Sequence, residues 1–308
     1  MTTANRHILL IFIDGIGLGG GDPASNPFAA AHYPTLTALA GGQRWLKSSQ
    51  RTETARSIFI PTDPRMGVPG KPQSASGQAA IITGRNIPAL IGGHYGPQPN
   101  QPIRDLLAED NFFKRVVAAG GRAALIEGYP PRRHEEIASG RALRASYQEA
   151  LHQAGLPMFG EREFYSGDAL AVDWTGEALR TQLGYTDTPL YTPFEAGRKM
   201  VEIARRYHFA MFSHWLTDVI GHRGTLQDGV RLLTLFDEVM AGALAAWDDE
   251  NGLIIITSDH GNMEDLSHGK HTENDIPTVI VGSHRQAHAA SIHTLADIVP
   301  AMARFLNL

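Results

Sequence analysis

The sequence contains no cysteine, which excludes disulfides, thiolate metal sites and a cysteine nucleophile, and leaves the redox compartment unassigned. It has no long basic run and a formal net charge of −5, so it lacks the clustered lysines and arginines that hold phosphate backbones. A nucleic-acid partner is therefore not expected, and a small molecule is. No hydrophobic run reaches transmembrane length. The N-terminal "ILLIFID" is too short for a signal h-region and has no small-residue cleavage site behind it. The expectation is a soluble cytoplasmic protein with no membrane partner. Internal repeats and low-complexity tracts are also missing.

What is present is a chain of 308 residues, 43% hydrophobic, enough to bury a large core. Apolar strand-like runs alternate with helical stretches, the pattern of an α/β fold whose mostly parallel sheet is covered on both faces. "HILLIFID" (7–14) reads as a first strand and "SGQAAIITG" (76–84) as a helix closed by Gly84. "NFFKRVVAAGG" (111–121) is a helix with a glycine stop, followed by the strand "RAALIEG". Thr192 and Pro193 open a helix that runs to 207, into the strand "HFAMFSHWL". A helix over 229–247 precedes the buried strand "GLIIITSD", and a last helix is expected to kink at Pro300. Residues 86–108, rich in Gly and Pro, and the mixed, polar 130–190 resist the pattern. The reading is one domain over 1–308, with 130–190 a small cap or lid inserted in it.

"LIFIDGIGLGGGDP" (10–23) places Gly15, Gly17 and Gly20 in the spacing of a dinucleotide fingerprint. Such a site needs a helix opening at the third glycine and an acidic residue about 20 positions on, at the end of a second strand. Here "GGGDPASNP" follows, and no strand appears before "ARSIFI". The glycines then read as a flexible turn behind Asp14.

Three strand-like runs end in an acidic residue, at Asp14, Asp218 and Asp259. In an open parallel sheet the carboxyl ends of the strands share one edge, so these carboxylates are expected to meet. Like charges clustered in that way need cations among them. Histidines supply further ligands: His222 stands four residues after Asp218, His260 follows Asp259, and "HGKH" carries His268 and His271. Each feature alone has a plain structural reading, a turn, a helix pair or a solvated loop. Their coincidence at three strand ends points to metal.

These residues resemble the alkaline phosphatase superfamily of two-metal phosphoryl-transfer enzymes, above all its branch of cofactor-independent phosphoglycerate mutases and phosphopentomutases. The resemblance rests on "FIDGIG", "SASGQAAIITGR" (74–85), "DVIGH" (218–222) and "TSDHGNMED" (257–265) with "HGKHTENDIP" behind it. It covers both ends of the chain and little of the middle. It implies a three-layer α/β/α fold and two divalent metal ions, Zn or Mn before Mg or Fe. One ion would be held by Asp14, Ser74, Asp259 and His260, the other by Asp218, His222 and His271. It also makes Ser74 the nucleophile, with Ser76 as rival, at a helix N-terminus where the dipole favours a phosphoryl group. Metal coordination would activate the hydroxyl, and in-line attack would give a phosphoserine.

Discharge of that phosphoserine to water makes a phosphatase, and discharge to another hydroxyl of a retained substrate makes a mutase. The resembled long mutases carry a large second domain between the nucleophile helix and the Asp-x-x-x-His motif. Here core elements take up much of the span from Gly84 to Asp218. Phosphohydrolase is therefore the first reading and phosphomutase the second, with a small phosphorylated metabolite as partner. A sulfatase is disfavoured by the absence of the x-Pro-x-Arg sequence after the nucleophile. A non-catalytic metal-containing binding module is the reading from a different class. Arg85, Arg132, Arg133 and Lys270 are candidate substrate contacts, since arginine suits bidentate recognition of phosphate or carboxylate. His94 and His134 are lid candidates.

Overall fold

The computed structural model describes residues 6–308. Among them, one seven-stranded sheet has the order β2-β3-β7-β6-β1-β5-β4. Its strands are β1 (His7–Ile13), β2 (Thr52–Glu53), β3 (Ser57–Thr62), β4 (Ala123–Leu125), β5 (Phe209–His214), β6 (Gly252–Thr257) and β7 (Ile276–Val281). β1 lies between β5 and β6, parallel to both, and β4 extends the parallel set beyond β5. β7 runs antiparallel between β6 and β3.

The centre of the sheet is buried on both faces, which is why β1 and β6 are continuous apolar runs. Alternation along β1 still divides its side chains between two cores. Ile8, Leu10 and Phe12 join the cluster containing Ala75, Ala79 and Ile82 of the Ser74–Thr83 helix. Leu9, Ile11 and Ile13 face Met200, Phe236 and Met240 on the other side. These two cores make the fold a three-layer α/β/α.

The sequence reading has no strand at β7, and several other elements depart from it. β7 is an interior strand despite Pro277, a residue that argues against a central strand. Pro277 pairs directly with Pro61 of β3, which confines the missing N–H groups to one rung of the ladder. Residues 86–108 are not irregular: Asn86 and Asn100 cap the short helices Ile87–Ile91 and Gln101–Glu109, each with a proline in its first turn. The last helix, Ile298–Leu306, holds Pro300 in its first turn, where a missing N–H breaks no helical bond, and a short tight turn at Leu295–Asp297 precedes it. Residues 130–190 form four short helices, Pro131–Ala138, Ser146–Gln153, Glu161–Ser166 and Glu177–Thr181. The second of these puts Tyr147, Ala150 and Leu151 into the main core. Phe164, Ala169, Ala171 and Leu179 form a small cluster apart from it. Among the described residues, no helix is long and apolar enough to cross a membrane.

The helices Pro193–Ala204 and Leu226–Ala246 cover the second face and touch backbone to backbone. A Cβ at Gly197 would stand 1.9 Å from the Val239 carbonyl oxygen, and one at Gly242 1.9 Å from that of Phe194. Only glycine fits at either point. Gly197→Ala is expected to lower stability by about 3 kcal/mol, the upper range for an overpacked core, read as a fall in the urea midpoint. An unchanged midpoint would show that the two helices can separate freely.

Candidate active site and metal centre

Parallel pairing brings the carboxyl ends of β1, β5 and β6 to one edge, and the acidic residues meet there. Asp14 directly follows β1, and its N–H donates to the carbonyl of His214 at the end of β5, 2.8 Å away. Asp259 follows β6 and is fully buried. Asp218 does not end a strand. β5 stops at His214, and the chain turns at Trp215 into the helix Leu216–Arg223, whose first turn contains Asp218. Thr217 of that turn donates to the carbonyl of Asp14, which pins the helix start over the end of β1.

The histidines close around this edge. His260 Nε2 lies 3.3 Å from Asp14 Oδ1, 3.7 Å from Asp259 Oδ2 and 3.0 Å from Ser74 Oγ. The four-residue step from Asp218 to His222 puts Nε2 of the histidine 3.3 Å from Asp218 Oδ2. His271 Nε2 lies 3.7 Å from Asp218 Oδ1 and 3.3 Å from His222 Nε2, and its ring stacks on that of His260 at 3.7 Å. Ligand atoms of Asp14, Asp259 and His260 lie within 4.8 Å of one another, as do those of Asp218, His260 and His271.

The donor set fits divalent cations. His222 Nδ1 faces the Gly269 carbonyl at 2.9 Å and His271 Nδ1 the Pro72 carbonyl at 3.0 Å. A carbonyl can only accept, so these nitrogens carry the protons and each Nε2 presents a lone pair. Two such lone pairs face each other beside three carboxylates, and the buried Asp14 Oδ1 has no hydrogen-bond partner. The two facing Nε2 lone pairs have no proton between them, and a cation satisfies such a set of nitrogen and carboxylate donors. The same negative field shifts the protons. Burial and the nearby Asp14 hold the Asp259 carboxyl well above the usual carboxylate range. Burial alone would lower His260, but Asp259 and Asp14 outweigh it and push the imidazole up to about 10. Burial and the charge of His260 lower His271 to about 4.

Ser74 opens the ten-residue helix Ser74–Thr83, and one turn later Gln78 donates to Asp14 Oδ2 at 3.2 Å and Asp259 Oδ2 at 3.3 Å. The four-residue spacing in "SASGQ" carried that signal, because positions i and i+4 share a helix face. Ser76 is committed elsewhere: its hydroxyl donates to Gln73 and accepts from the Tyr95 N–H, away from the histidines. The glycine turn behind Asp14 is a cradle. Gly17 N–H donates to the buried Glu264 at 2.9 Å, and a Cβ there would meet that carboxylate at 2.3 Å. Asn262 N–H, Thr272 and Asn274 complete the shell of Glu264, so the loops after β1 and β6 form one unit.

Asp14, Ser74, Gln78 and Asp218 line a cavity of about 530 Å³ whose lining also includes Tyr129, Tyr147, Trp215, Arg132 and Arg133. Two cavities of similar size, about 540 Å³ beside Arg198 and about 580 Å³ beside Arg122, contain no such cluster. Of the candidate substrate contacts, only Arg132 and Arg133 reach this cavity. Arg85 is paired with Glu109 at 2.7 Å, at the far end of a helix about 15 Å long. Lys270 is exposed outside the cavity. His268 pairs with Asp265, and His94 and His134 face the carbonyls of Val68 and Phe159.

Sequence reasoning missed Glu127, which lies past β4 in a segment without a motif. It is 1% exposed and accepts from Tyr129 OH at 2.7 Å, from Ser213 N–H at 3.1 Å and from the Ser213 hydroxyl, and so fixes a tyrosine of the cavity wall.

Residues 185–308 match the family model described as Metalloenzyme superfamily. The match takes in the C-terminal part of the chain, which is similar to that superfamily. Curated relatives include the 2,3-bisphosphoglycerate-independent phosphoglycerate mutases of Clostridium acetobutylicum, 32% identical over 110 residues, and of Antithamnion sp., 27% over 135. These matches cover 33% and 40% of the chain, and 22% and 26% of the relatives. The chain thus spans about a quarter of the length of the curated relatives it matches. Solved structures share the fold over 98% of the chain. A protein from Pyrococcus horikoshii has TM-score 0.56 at 16% identity, with 97% of its own chain covered. The Leishmania mexicana phosphoglycerate mutase has TM-score 0.54 at 13%, with 95% covered. A TAB5 alkaline phosphatase variant has 0.51 at 15%, with 97% covered.

Two expectations follow. Mn or Zn at a hundredfold excess over Kd is expected to raise Tm by roughly 5 °C or more, and Asp14→Asn to abolish most of the rise. No metal-dependent shift would refute a built cation site. The second concerns Glu127, whose carboxyl burial pushes up to about 7 against hydrogen bonds from Ser213 and Tyr129. With the folded value raised above the unfolded one, the folded state holds the extra proton between about pH 4.5 and 7. Its contribution, on the order of 3 kcal/mol, is lost as pH rises through that window. Glu127→Gln has no such proton, so wild-type stability minus variant stability should fall from pH 5 to pH 8. Urea unfolding at both values measures it, and a flat or rising difference would contradict the buried-acid reading.

Proposed function

We propose that the chain is a metal-dependent phosphohydrolase that passes the phosphoryl group of a small phosphomonoester first to Ser74 and then to water. The observation that carries this reading is the setting of one hydroxyl. Ser74 Oγ lies at a helix N-terminus, 3.0 Å from His260 Nε2, in the wall of the cavity that the carboxylates also line.

The chain's own groups account for most of the chemistry. The N-terminal end of the Ser74–Thr83 helix favours the negative phosphoryl group. Gln78 holds Asp14 and Asp259 in place, and Asn262 donates to Asp218 Oδ1 at 2.7 Å, so the acidic side chains are oriented before substrate arrives. Divalent cations held by Asp14, Ser74, Asp259 and His260, and by Asp218, His222 and His271, would lower the pKa of the Ser74 hydroxyl and offset the charge on the phosphoryl oxygens. Ser74 releases its hydroxyl proton to solvent, its oxygen attacks phosphorus as the ester P–O bond breaks, and the departing alkoxide takes a proton from solvent. Water then attacks the phosphoserine, the Ser74 O–P bond breaks, and inorganic phosphate leaves. His260, hydrogen-bonded to Oγ, is positioned to orient the nucleophile.

A phosphomutase is the second reading, favoured by the names of the curated relatives. Supporting hydrolysis over it is the slight build of residues 130–190, whose separate core is little more than Phe164, Ala169, Ala171 and Leu179. A cap of that size encloses an intermediate poorly against water.

The test is hydrolysis of an aryl phosphate by metal-stripped protein re-supplied with Mn or Zn. Turnover should return with the metal and fall by roughly a thousandfold or more in Ser74→Ala. Mass spectrometry of acid-quenched protein should find phosphate on Ser74. A trapped phosphoserine whose phosphate returns to a second hydroxyl of the substrate would favour the mutase, and neither turnover nor phosphoserine would leave a binding module.

A further inference from the structure

Beyond the carboxylates, the cavity lining changes character. Its two arginines have partners. Arg132 Nε donates to Glu136 Oε1 at 2.8 Å, and Glu136 lines the same cavity, so part of that positive charge is offset in place. Arg133 Nη2 donates to the Leu143 carbonyl at 2.8 Å and to Gln148 Oε1 at 3.1 Å. Gln148 Oε1 also accepts the Ala145 N–H. With Arg132 held at Nε and Arg133 at Nη2, each guanidinium offers a substrate anion fewer donors than an unpartnered fork would.

The same lining also offers apolar surface. Trp215 is 40% exposed and lines the cavity three residues before Asp218, and Leu183, 57% exposed, lines it too. Large side chains left in water at a cavity wall mark a surface waiting for a partner. Tyr129, Tyr147, Pro97 and Pro130 continue the wall. One further group lacks a partner: Gln98, also in the lining, has its side-chain oxygen buried without a hydrogen bond. A buried acceptor of that kind is costly unless a ligand donor meets it. The volume of about 530 Å³ falls within the roughly 300–1,000 Å³ typical of sites for ligands much larger than a three-carbon acid.

We propose that the substrate is a ring-bearing phosphomonoester whose phosphate faces Ser74, whose planar ring packs against Trp215, and whose ring carries an N–H or O–H donor for Gln98. The proposal rests on the phosphohydrolase reading, since that reading sets which end of the cavity holds the phosphate. Indole stacking on a planar ring adds to the area it buries, and favours offset or edge contacts that a flexible chain cannot make. Gln98 adds selectivity for a donor, because an analogue without one leaves the amide oxygen buried and unpaired.

The experiment uses the full metal-loaded chain and compares kcat/KM for aminophenyl phosphate, phenyl phosphate, adenosine monophosphate, glycerol phosphate and phosphoglycerate. The ring substrates are expected to exceed the three-carbon ones by tenfold or more. The aminophenyl and adenosine arms separate an aryl from a nucleoside source of the same ring chemistry. Trp215→Ala should reduce the ring-to-glycerol preference about three- to tenfold, mainly through KM. Gln98→Leu should reduce the aminophenyl-to-phenyl ratio. Phosphoglycerate or glycerol phosphate processed as well as the ring substrates, or a Trp215→Ala effect equal for both classes, would overturn the proposal while leaving the phosphohydrolase intact. If nothing is turned over, that reading fails, and titration calorimetry with phenylphosphonate against a three-carbon phosphonate still decides this one. Equal affinities overturn it, and tighter phenylphosphonate binding that Trp215→Ala weakens upholds it.

Discussion

Three carboxylates held at one edge of a parallel sheet repel one another, and the neighbourhood of that edge is organised around their charge. Asp14 and Asp259 are carried there by adjacent strands, so their approach is a consequence of pairing between β1 and β6. Asp218 is brought by a helix whose start is tied to the carbonyl of Asp14. The repulsion is met by imidazoles whose outer nitrogens are spent on backbone carbonyls. Proton and metal compete for the same space: the field that pushes His260 up to about 10 is the field that would draw a divalent ion.

The ties that hold this edge span the whole sequence. Gln78 crosses from the Ser74–Thr83 helix to both Asp14 and Asp259, and Asn262 crosses to Asp218. Glu264 gathers the loop after β1 and the loop before β7 around one buried carboxylate. Function and fold are therefore difficult to separate here. The side chains that orient the site also staple distant segments together, so polar networks do at this edge what apolar packing does in the two cores.

Much of the layout was legible because it follows from periodicity and strand chemistry. Alternating strands and helices implied a sheet covered on both faces, and Thr192 with Pro193 marked a helix start that the structure caps through Glu195. The residues of the four motifs do converge in space. Less was legible wherever the deciding partner lies far away in sequence. The sequence reading has no strand at β7, where Pro277 shares its rung with the distant Pro61. Gly17 and its neighbours read as a flexible turn because nothing nearby in the sequence announces Glu264, some 250 positions on. Arg85 stood close to Ser74 in sequence, but a helix separates its ends, and the cavity is walled instead by Tyr129, Tyr147 and Trp215 from segments without motif or period. Glu127 was invisible for the same reason: only the parallel pairing of β4 with β5 places it against Ser213.

The ring of hydrogen bonds around Glu264 has one more effect. Because it joins the loops after β1 and β6, the distance between Asp14 and the Asp259–His260 pair cannot breathe independently of the rest. Most of the other ligands are equally confined, with Asp259 and His260 fully enclosed and His271 nearly so. His222 differs, with a side chain 42% exposed near the end of a short helix. Accommodation of ions of different radius would therefore fall to one imidazole on one side of the cluster. The site is a jaw with one uncovered tooth, and any tolerance for different metals would rest on the room around that tooth.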